Sequence, residues 1–597
     1  MDDLPMEKRM EALPQITQRK LLSIFDNIPD VKDLLIDPAI MKPLQRFTGI
    51  KALRAHGIEK IYRLEEGQVP VTNMKRVFLL CSEYPKVRQV LQQIQAELQQ
   101  QEGKPLSPHL ILVPGSMSHF AVEKLVEEEA LCGLVTIHTL NFELMKLDQG
   151  LWSLEMPSAF RNLNVQGDIT LLKPIAKALW SLQLVLGRPK LLWAQGGMAT
   201  KVVQLMERFP WPKDTNKSKE GTLGSLSIVC RDIDWPSVFL TPVTYTALVD
   251  QVIGSNCGNV KFQSEAGASS APDGIYLNSN TDQVYCHIKN LHFSSVFPYL
   301  SIKTKELQMD AAKITKASSP SEMKAFVKER LTQSAELKKS LAQHIATCEY
   351  VVEQIGSSYE SIQIAETMAL SGRKGVITQV EDLFGQGLLT LSQCMRLLGL
   401  LSVCGLSEDF DAVLTQFLLS HGHKHLCTVH SLGLMGLHVE EEASTSIVGR
   451  VAQVVKRRTS TIQEIDKKFK VLFPDGKEVP DKALPALHMS YVFSGSYTPV
   501  VGRIMEWMIK GEPVAQLEDA LKVLPGPTMW RGSRGEYLPR PQLPVVPKTH
   551  IVFFIGGVTY AEVSALQILE ALTGTKIVIA TTSIISKNTL VEACSKY

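Results

Sequence analysis

Strand-like and helix-like segments alternate at both ends of the chain but not in its middle. In the first 150 residues, short β-rich runs such as "EKIYRL", "RVFLLCS" and "HLILVPG" alternate with helical segments such as "YPKVRQVLQQIQAELQQ". This alternation is typical of a mostly parallel sheet with helices on its faces. Helical periodicity dominates residues 244–476, and the alternation returns after about Ser490. The pattern predicts one discontinuous α/β domain with a helical block inserted between its halves.

A double glycine near the end of the chain could belong to a phosphate-binding loop. The stretch "IVFFIGGVTYAE", residues 551–562, has the pattern strand, glycine pair, helix start. Gly556 and Gly557 fit neither GxxxxGK[ST] nor GxGxxG. Thr559 and Glu562 have the spacing of a capping box, which occupies the first N–H donors of a helix. We therefore interpret the loop as a turn between a strand and a helix.

Five potential metal ligands lie within ten residues in the segment "HGHKHLCTVH". They are His421, His423, His425, Cys427 and His430. On a strand, alternate histidines would share one face, but on a helix they would spread around the axis. The flanking sequences are helical in pattern. The two interpretations are a metal site and a junction between helices with surface histidines, and the flanks favour the junction.

Composition limits the classes of function that the chain can have. The chain has 597 residues, 45% of them apolar, and a formal net charge of +2. This balance gives no global attraction to nucleic acid or to anionic lipid. The N-terminus has no apolar signal region, and no apolar run is long enough to span a bilayer. We expect a cytoplasmic protein without disulfides, without hydrolase or nucleotide-binding motifs, and with no cofactor; it is not expected to be an enzyme.

One long helical segment carries a basic bias. Residues 303–339 contain nine basic and five acidic residues. Lys324 and Lys328, spaced four residues apart, share a helix face, and Arg330 follows them. We refer to Lys324, Lys328 and Arg330 as the hairpin cations. The two readings are a solvated helix face and a surface for an acidic or amphipathic partner helix.

Four stretches resemble signature segments of a known family. "RDIDWPSVFLTPVTYTALVDQVIG" resembles the pattern DR-x-x-D…TP…TY-x-x-L-x-D, and the residues that match it are Arg231, Asp234, Thr241, Pro242, Thr244, Tyr245, Leu248 and Asp250. "HIKNLHFSSVFPYLS" has Lys289 where arginine is usual, and "YVFSGSYTPVVGRIME" resembles a third segment. The near-terminal stretch with the glycine pair resembles GG-x-T-x-x-E-x-x-AL. Cys230 stands where the signature has an aspartate, which weakens the expectation of a local salt bridge there.

These stretches make the chain similar to the SM proteins, the Sec-one/Munc-eighteen-like regulators of SNARE assembly. Within that family it resembles the Vps-thirty-three type and its animal B-type paralogue. The resemblance implies a fold class of α/β plus all-α, the Sec1-like arch. It implies an N-terminal α/β domain over 1–140 and a discontinuous central α/β domain with a parallel sheet over 141–243 and 490–597. The helical insertion would comprise 244–370, with a SNARE-facing hairpin, and 371–489, which would contact a partner subunit.

The resemblance also implies partners and sites. Endolysosomal syntaxin-type SNAREs and assembled SNARE bundles would dock on the hairpin cations. A Vps-sixteen-like or VIPAR-like subunit of a tethering complex would contact His423 and Leu426, so the histidines need no metal. The protein would template SNARE assembly as a peripheral protein on late endosomes, lysosomes and recycling or early endosomes. The alternative is a scaffold subunit of a two-protein endosomal sorting complex that contacts no SNARE.

Overall fold

The structure is a computed structural model. It describes residues 5–65, 69–100, 106–211, 223–262, 274–314, 320–356, 358–373, 375–406, 410–437, 462–473, 486–511, 513–532, 535–538 and 549–595. Side chains are described over the same ranges, with the exception of residues 310–334 and 514.

The N-terminal part folds around a parallel sheet. Its strands are β1 (Lys32–Ile36), β2 (Ile58–Arg63), β3 (Lys75–Cys81), β4 (Ser107–Val113) and β5 (Thr136–Thr139). Within the described ranges they pair in the order β2-β1-β3-β4-β5, all parallel. Side chains on both of its faces are buried, so strands β3 and β4 end in apolar runs, residues 77–81 and 110–113. Helices Pro38–Phe47, Ile50–Ala55, Tyr84–Gln100 and His119–Glu128 connect the strands.

A second sheet draws its strands from distant parts of the chain. They are β6 (Met145–Asp148), β7 (Leu151–Ser153), β8 (Leu191–Gln195), β9 (Ser225–Cys230), β12 (Thr528–Gly532), β13 (Thr549–Ile555) and β14 (Lys576–Thr581); β10 (Asn259–Val260) and β11 (Ile275–Tyr276) form a small separate pair. In the described part of the chain the order is β12-β8-β9-β13-β14-β7-β6. Strands β8, β9, β13, β14 and β7 run parallel, while β12 and β6 are antiparallel edges.

Strand β13, from the C-terminal part of the chain, lies between β9 and β14. Both parts of the chain are therefore needed to form this sheet. Trp193, Val552 and Phe554 face a core shared with the helical block. Leu226 and Phe553 face the opposite core, against helices Leu172–Leu186 and Gly197–Glu207. Because both faces are buried, the strands carry mostly apolar side chains, as parallel strands do, and the few polar ones such as Ser227 are buried as well.

The block between the halves is helical. Its helices are Tyr245–Val252, Gln283–Ile288, Phe293–Ile314, Pro320–Ile355, Ser358–Ser371, Val376–Gly385, Leu391–Val403, Phe410–His421, Leu426–Leu434 and Ile462–Phe469. Helices Phe293–Ile314 and Pro320–Ile355 contact one another, and we call this pair the hairpin. The long helix begins at Pro320, where the missing N–H costs no hydrogen bond. After this block the chain returns to the domain of the second sheet, which here contains the helices Val500–Lys510, Val514–Leu521, Tyr560–Thr573 and Thr589–Ser595.

Two segments differ from what their local sequence suggests. The segment "YVFSGS" has the apolar pattern of a strand, but Met489–Phe493 forms a 3-10 helix that ends at Ser494 in the left-handed conformation. The helix capped by Ser118 ends at Glu128, and a turn separates its end from Gly133. Backbone hydrogen bonds of turns shape the chain in both places.

Candidate functional site

The signature residues gather where the halves of the second sheet meet. The guanidinium of Arg231, which follows β9, donates two hydrogen bonds of 2.7 Å to the carboxylate of Glu562. Both side chains are buried, with 0% and 1% exposed. Burial lowers the pKa of Arg231, but the Glu562 carboxylate more than offsets this, so the pKa is raised. The pair joins two segments that are 331 residues apart in the chain.

The same carboxylate completes the capping box of the helix Tyr560–Thr573. Glu562 accepts from the Thr559 N–H at 3.0 Å, and the Thr559 hydroxyl accepts from the Glu562 N–H at 3.3 Å. Although Cys230 offers no carboxylate, Arg231 forms a salt bridge with the distant Glu562. Cys230 is buried, and its sulfur accepts from the Ala199 N–H at 3.2 Å.

Asp234 holds two segments together. Its carboxylate accepts from the Ser237 hydroxyl at 2.8 Å, from the Tyr497 hydroxyl at 2.7 Å and from the Val500 N–H at 2.9 Å. Tyr497 and Val500 lie after the helical block in the chain, so this carboxylate connects the segments that precede and follow the insertion.

The glycine pair is required by close packing. Gly556 and Gly557 have φ of 93° and 108°, which favour glycine. A Cβ on Gly556 would lie 2.8 Å from the amide of Asn164, and one on Gly557 would lie 2.6 Å from Cγ1 of Ile585. These contacts, together with the capping box, give the loop a structural role.

The remaining signature residues lie between the sheet and the helical block. Thr241 donates from its hydroxyl to Glu366 at 2.7 Å, and Pro242 is buried beside it. The hydroxyl of Tyr245 lies 2.7 Å from Nδ1 of His344. Asp250 accepts from the Ser586 hydroxyl at 2.8 Å. Burial raises the pKa of Asp250 to about 7, although Ser255 and Ser586 hydrogen-bond to it.

The histidine cluster forms a junction between two helices. Helix Phe410–His421 ends before Gly422, which has a φ of 94°, and helix Leu426–Leu434 begins after a 3-10 turn, His423–His425. His423 is exposed, and so are Cys427 and His430. Over the described ranges, no group of three or more histidine, cysteine or acidic side chains is arranged to hold a metal ion.

This junction presents apolar side chains to solvent. Leu426 is 58% exposed, Leu419 on the preceding helix is 67% exposed and Leu434 is 52% exposed. We call Leu419, His423, Leu426 and Leu434 the junction surface. Scattered exposed leucines are ordinary on a protein surface, whereas a group on two consecutive helices fits a docking site.

The hairpin contains the other expected site. Its second helix includes the hairpin cations, and their side chains lie outside the described residues. On the first helix, Phe297, Ile302 and Met309 are each more than half exposed. Ile302 and Met309 are seven residues apart, or two helical turns, and share a face.

Two polar groups of the helical block, the buried Glu366 and the partly buried Asp282, were not anticipated from the sequence. Glu366 accepts from the Thr241 N–H and hydroxyl, and Asp282 accepts from the hydroxyl of Ser340 and lies 3.0 Å from Nε2 of His344. The partners are 58 to 125 residues apart in sequence, and no local pattern connects them. Among the described helices, none is both long and apolar enough to cross a membrane.

A profile of the Sec1 family matches residues 32–593. The chain belongs to the Sec1 family. Vacuolar protein sorting-associated protein 33B of Danio rerio is 26% identical to it over 99% of this chain and 98% of that protein. The Vacuolar protein-sorting-associated protein 33 homolog of Arabidopsis thaliana is 25% identical over 98% and 97%. The predicted resemblance to the Vps33 type, with animal B-type relatives, is confirmed.

Solved structures of the Sec1 family share the fold. The Unc18–syntaxin 1 complex from Monosiga brevicollis matches with a TM-score of 0.58 at 15% identity, covering 98% of this chain and 99% of that one. The SM protein Vps45 in complex with the Qa SNARE Tlg2 matches with a TM-score of 0.57 at 15% identity, covering 98% and 97%. The predicted Sec1-like fold class, α/β plus all-α, is confirmed.

Proposed function

We propose that this protein is a SNARE-binding regulator of vesicle docking and membrane fusion in endosome and lysosome trafficking. Membership of the Sec1 family, whose profile matches residues 32–593, carries the proposal. Two further facts support it: the relatives are named for vacuolar protein sorting, and related folds have been solved with syntaxin 1 and with a Qa SNARE.

The hairpin is the proposed SNARE surface. Its first helix exposes Ile302 and Met309 on one face, and its second helix contains the hairpin cations. Apolar and basic side chains on paired helices fit an amphipathic, partly acidic partner helix. SNARE helices held in register before they zipper would lose part of their ordering entropy in advance. This templating needs binding alone, with no chemical step and no cofactor.

The junction surface is the proposed contact with a Vps-sixteen-like or VIPAR-like subunit of a tethering complex. Leu426 is the proposed anchor, with His423 beside it. Burying a leucine contributes roughly 1.5–3 kcal/mol, which corresponds to about 10- to 150-fold in Kd. Such a subunit would carry the protein to late endosome, lysosome and recycling or early endosome membranes as a peripheral protein.

A pull-down from lysate tests the proposal. Tagged full-length protein is compared with Leu426→Asp and with Ile169→Asp, a matched control at a position that is 55% exposed on the second sheet domain. Wild type and the control should recover an endolysosomal SNARE and a tethering subunit, identified by mass. Leu426→Asp should lose the subunit. A subunit recovered without any SNARE would overturn SNARE binding and favour the scaffold reading.

A further inference from the structure

A polar cluster built around a buried histidine lies at the base of the hairpin. We call Tyr245, Asp282, Ser340 and His344 the root cluster. His344, in the second hairpin helix, is fully buried, with Nδ1 2.7 Å from the Tyr245 hydroxyl and Nε2 3.0 Å from Oδ2 of Asp282. Both ring nitrogens thus have a partner, so the ring orientation is fixed by hydrogen bonds as well as by packing.

One carboxylate connects two helices of the block. Asp282 caps the helix Gln283–Ile288 by accepting from the Tyr285 N–H at 2.9 Å. It also accepts from the Ser340 hydroxyl at 2.7 Å, one helical turn before His344. Two successive turns of the long helix are thereby tied to the N-terminus of a helix outside the hairpin. A single bond would permit rotation of the long helix, whereas bonds at two turns fix its register.

Aromatic rings extend this connection to the first hairpin helix. Tyr245 stacks on Phe293, the first residue of that helix, with centroids 6.4 Å apart and an interplanar angle of 7°. Tyr285 stacks on His344 at 6.2 Å. The imidazole is therefore contacted by groups from two other helices, and both arms of the hairpin meet the same tyrosine.

The electrostatics of Asp282 favour an ionised carboxylate. Burial raises the pKa of the carboxyl, but the hydrogen bond and charge of His344 and the N–H and hydroxyl donors lower it to about 2. The carboxylate consequently stays ionised at cellular pH. An ionised, multiply hydrogen-bonded carboxylate is costly to separate from its donors, which makes the anchor stiff.

We propose that the root cluster positions the hairpin: it fixes the direction in which the hairpin leaves the sheet domains, and so aligns the proposed SNARE surface. These residues act at a distance from the surface. The claim that the root cluster fixes the direction of the hairpin depends on the contacts above, and only the link to SNARE affinity rests on the proposed function.

A small change of angle at the base of the hairpin displaces its distant residues by several ångströms. Met309 lies 16 residues beyond Phe293, which is about 24 Å along the helix. A tilt of about 10° at the base would therefore move Met309 by roughly 4 Å. A shift of this size is enough to misalign side chains that must meet a partner helix together, because binding groups tolerate about 0.5 Å.

Electron-spin distance measurements on the full chain test the positioning. Spin labels are placed by Met309→Cys on the hairpin and Val31→Cys on the first domain, two positions that are 57% and 53% exposed. The exposed natural cysteines are first replaced by serine; they are Cys132, Cys286 and Cys427. His344→Leu removes both bonds of the imidazole, and Ser340→Ala removes one bond with little loss of packing. Ala342→Ser, at an exposed position between them, is the control.

The expected result is a graded change. His344→Leu should shift or broaden the distance distribution by about 4 Å, Ser340→Ala by less, and the control not at all. His344→Gln, which restores an N–H donor toward Asp282, should recover part of the native distribution. Should His344→Leu fail to fold, Ser340→Ala still decides. Native distributions in every variant would overturn the proposal.

A binding measurement separates this inference from the proposed function. The probe is the purified cytosolic fragment of a late-endosomal syntaxin-type SNARE. Wild type should bind it, and each variant with a shifted distribution should bind about tenfold more weakly, or 1.4 kcal/mol. If wild type does not bind, the proposed function fails while the distance data still judge the positioning. If shifted variants bind as wild type does, the alignment of a SNARE surface by the root cluster is refuted.

Discussion

Removing the charge of Glu562 should destabilise the second sheet domain strongly. Glu562→Gln retains an oxygen that can accept from Thr559, so the cap of the helix Tyr560–Thr573 is largely preserved. What it removes is the negative charge that neutralises Arg231, whose side chain is fully buried. The substitution therefore isolates the ion pair from the capping box.

The magnitude follows from the burial of the pair. Removing one partner of a buried ion pair costs about 3–5 kcal/mol, since the other charge remains desolvated and unpaired. For a domain of 150–250 residues, 1 kcal/mol corresponds to about 2–4 °C in Tm. The thermal transition that includes the second sheet should thus fall by roughly 6–20 °C.

Thermal unfolding and amide hydrogen exchange provide the assay. Exchange should rise in β9, β13 and the helix Tyr560–Thr573, and much less in the first sheet. Arg231→Met combined with Glu562→Gln should cost less than the sum of the single substitutions, because neither charge is then left unpaired. A Tm within 2 °C of wild type for Glu562→Gln, or strict additivity in the double variant, would refute the reasoning.

Two further predictions concern stability. The folded pKa of Asp250 is raised to about 7 by burial, so the folded chain keeps a proton that the unfolded chain has lost above pH 4. Its stability relative to Asp250→Asn should fall by about 1.4 kcal/mol per pH unit up to pH 7 and then level off, as measured by denaturant unfolding between pH 5.5 and 8. A pH-independent difference would contradict this. Gly557→Ala should destabilise far more than Gly133→Ala in the same denaturant assay, because both have positive φ but only the former meets a neighbour, Ile585 at 2.6 Å. Equal losses would show that backbone conformation alone decides.

The sequence predicts the elements of the fold where the residue pattern is periodic or acts over a few residues. Alternating strands and helices at both ends predicted the split sheet, since parallel strands buried on both faces leave long apolar runs. The capping box of Thr559 and Glu562 was likewise predicted, because the S/T-x-x-E spacing acts within one turn. The 3-10 helix at Met489–Phe493 was missed because its apolar residues follow a strand pattern while backbone turns shape it.

The sites were less predictable for a physical reason. The signature residues Arg231 and Asp234 could be picked out, but their partners Glu562 and Tyr497 lie 331 and 263 residues away. Burial makes such pairs specific, and nothing in a single sequence records which distant residues share a core. The same holds for His344, which looks like one more residue of a long helix.

Binding of a SNARE to the hairpin is the central claim, and direct titration tests it. The full chain is titrated with a fluorescent cytosolic fragment of a late-endosomal syntaxin-type SNARE, in wild type and with all three hairpin cations changed to glutamate. The control carries the same change of charge at three exposed lysines elsewhere, Lys51, Lys60 and Lys201. We predict that reversing the hairpin cations weakens binding at least about tenfold, with the difference reduced at high salt. Equal affinities for the hairpin variant, the control and wild type would contradict the account.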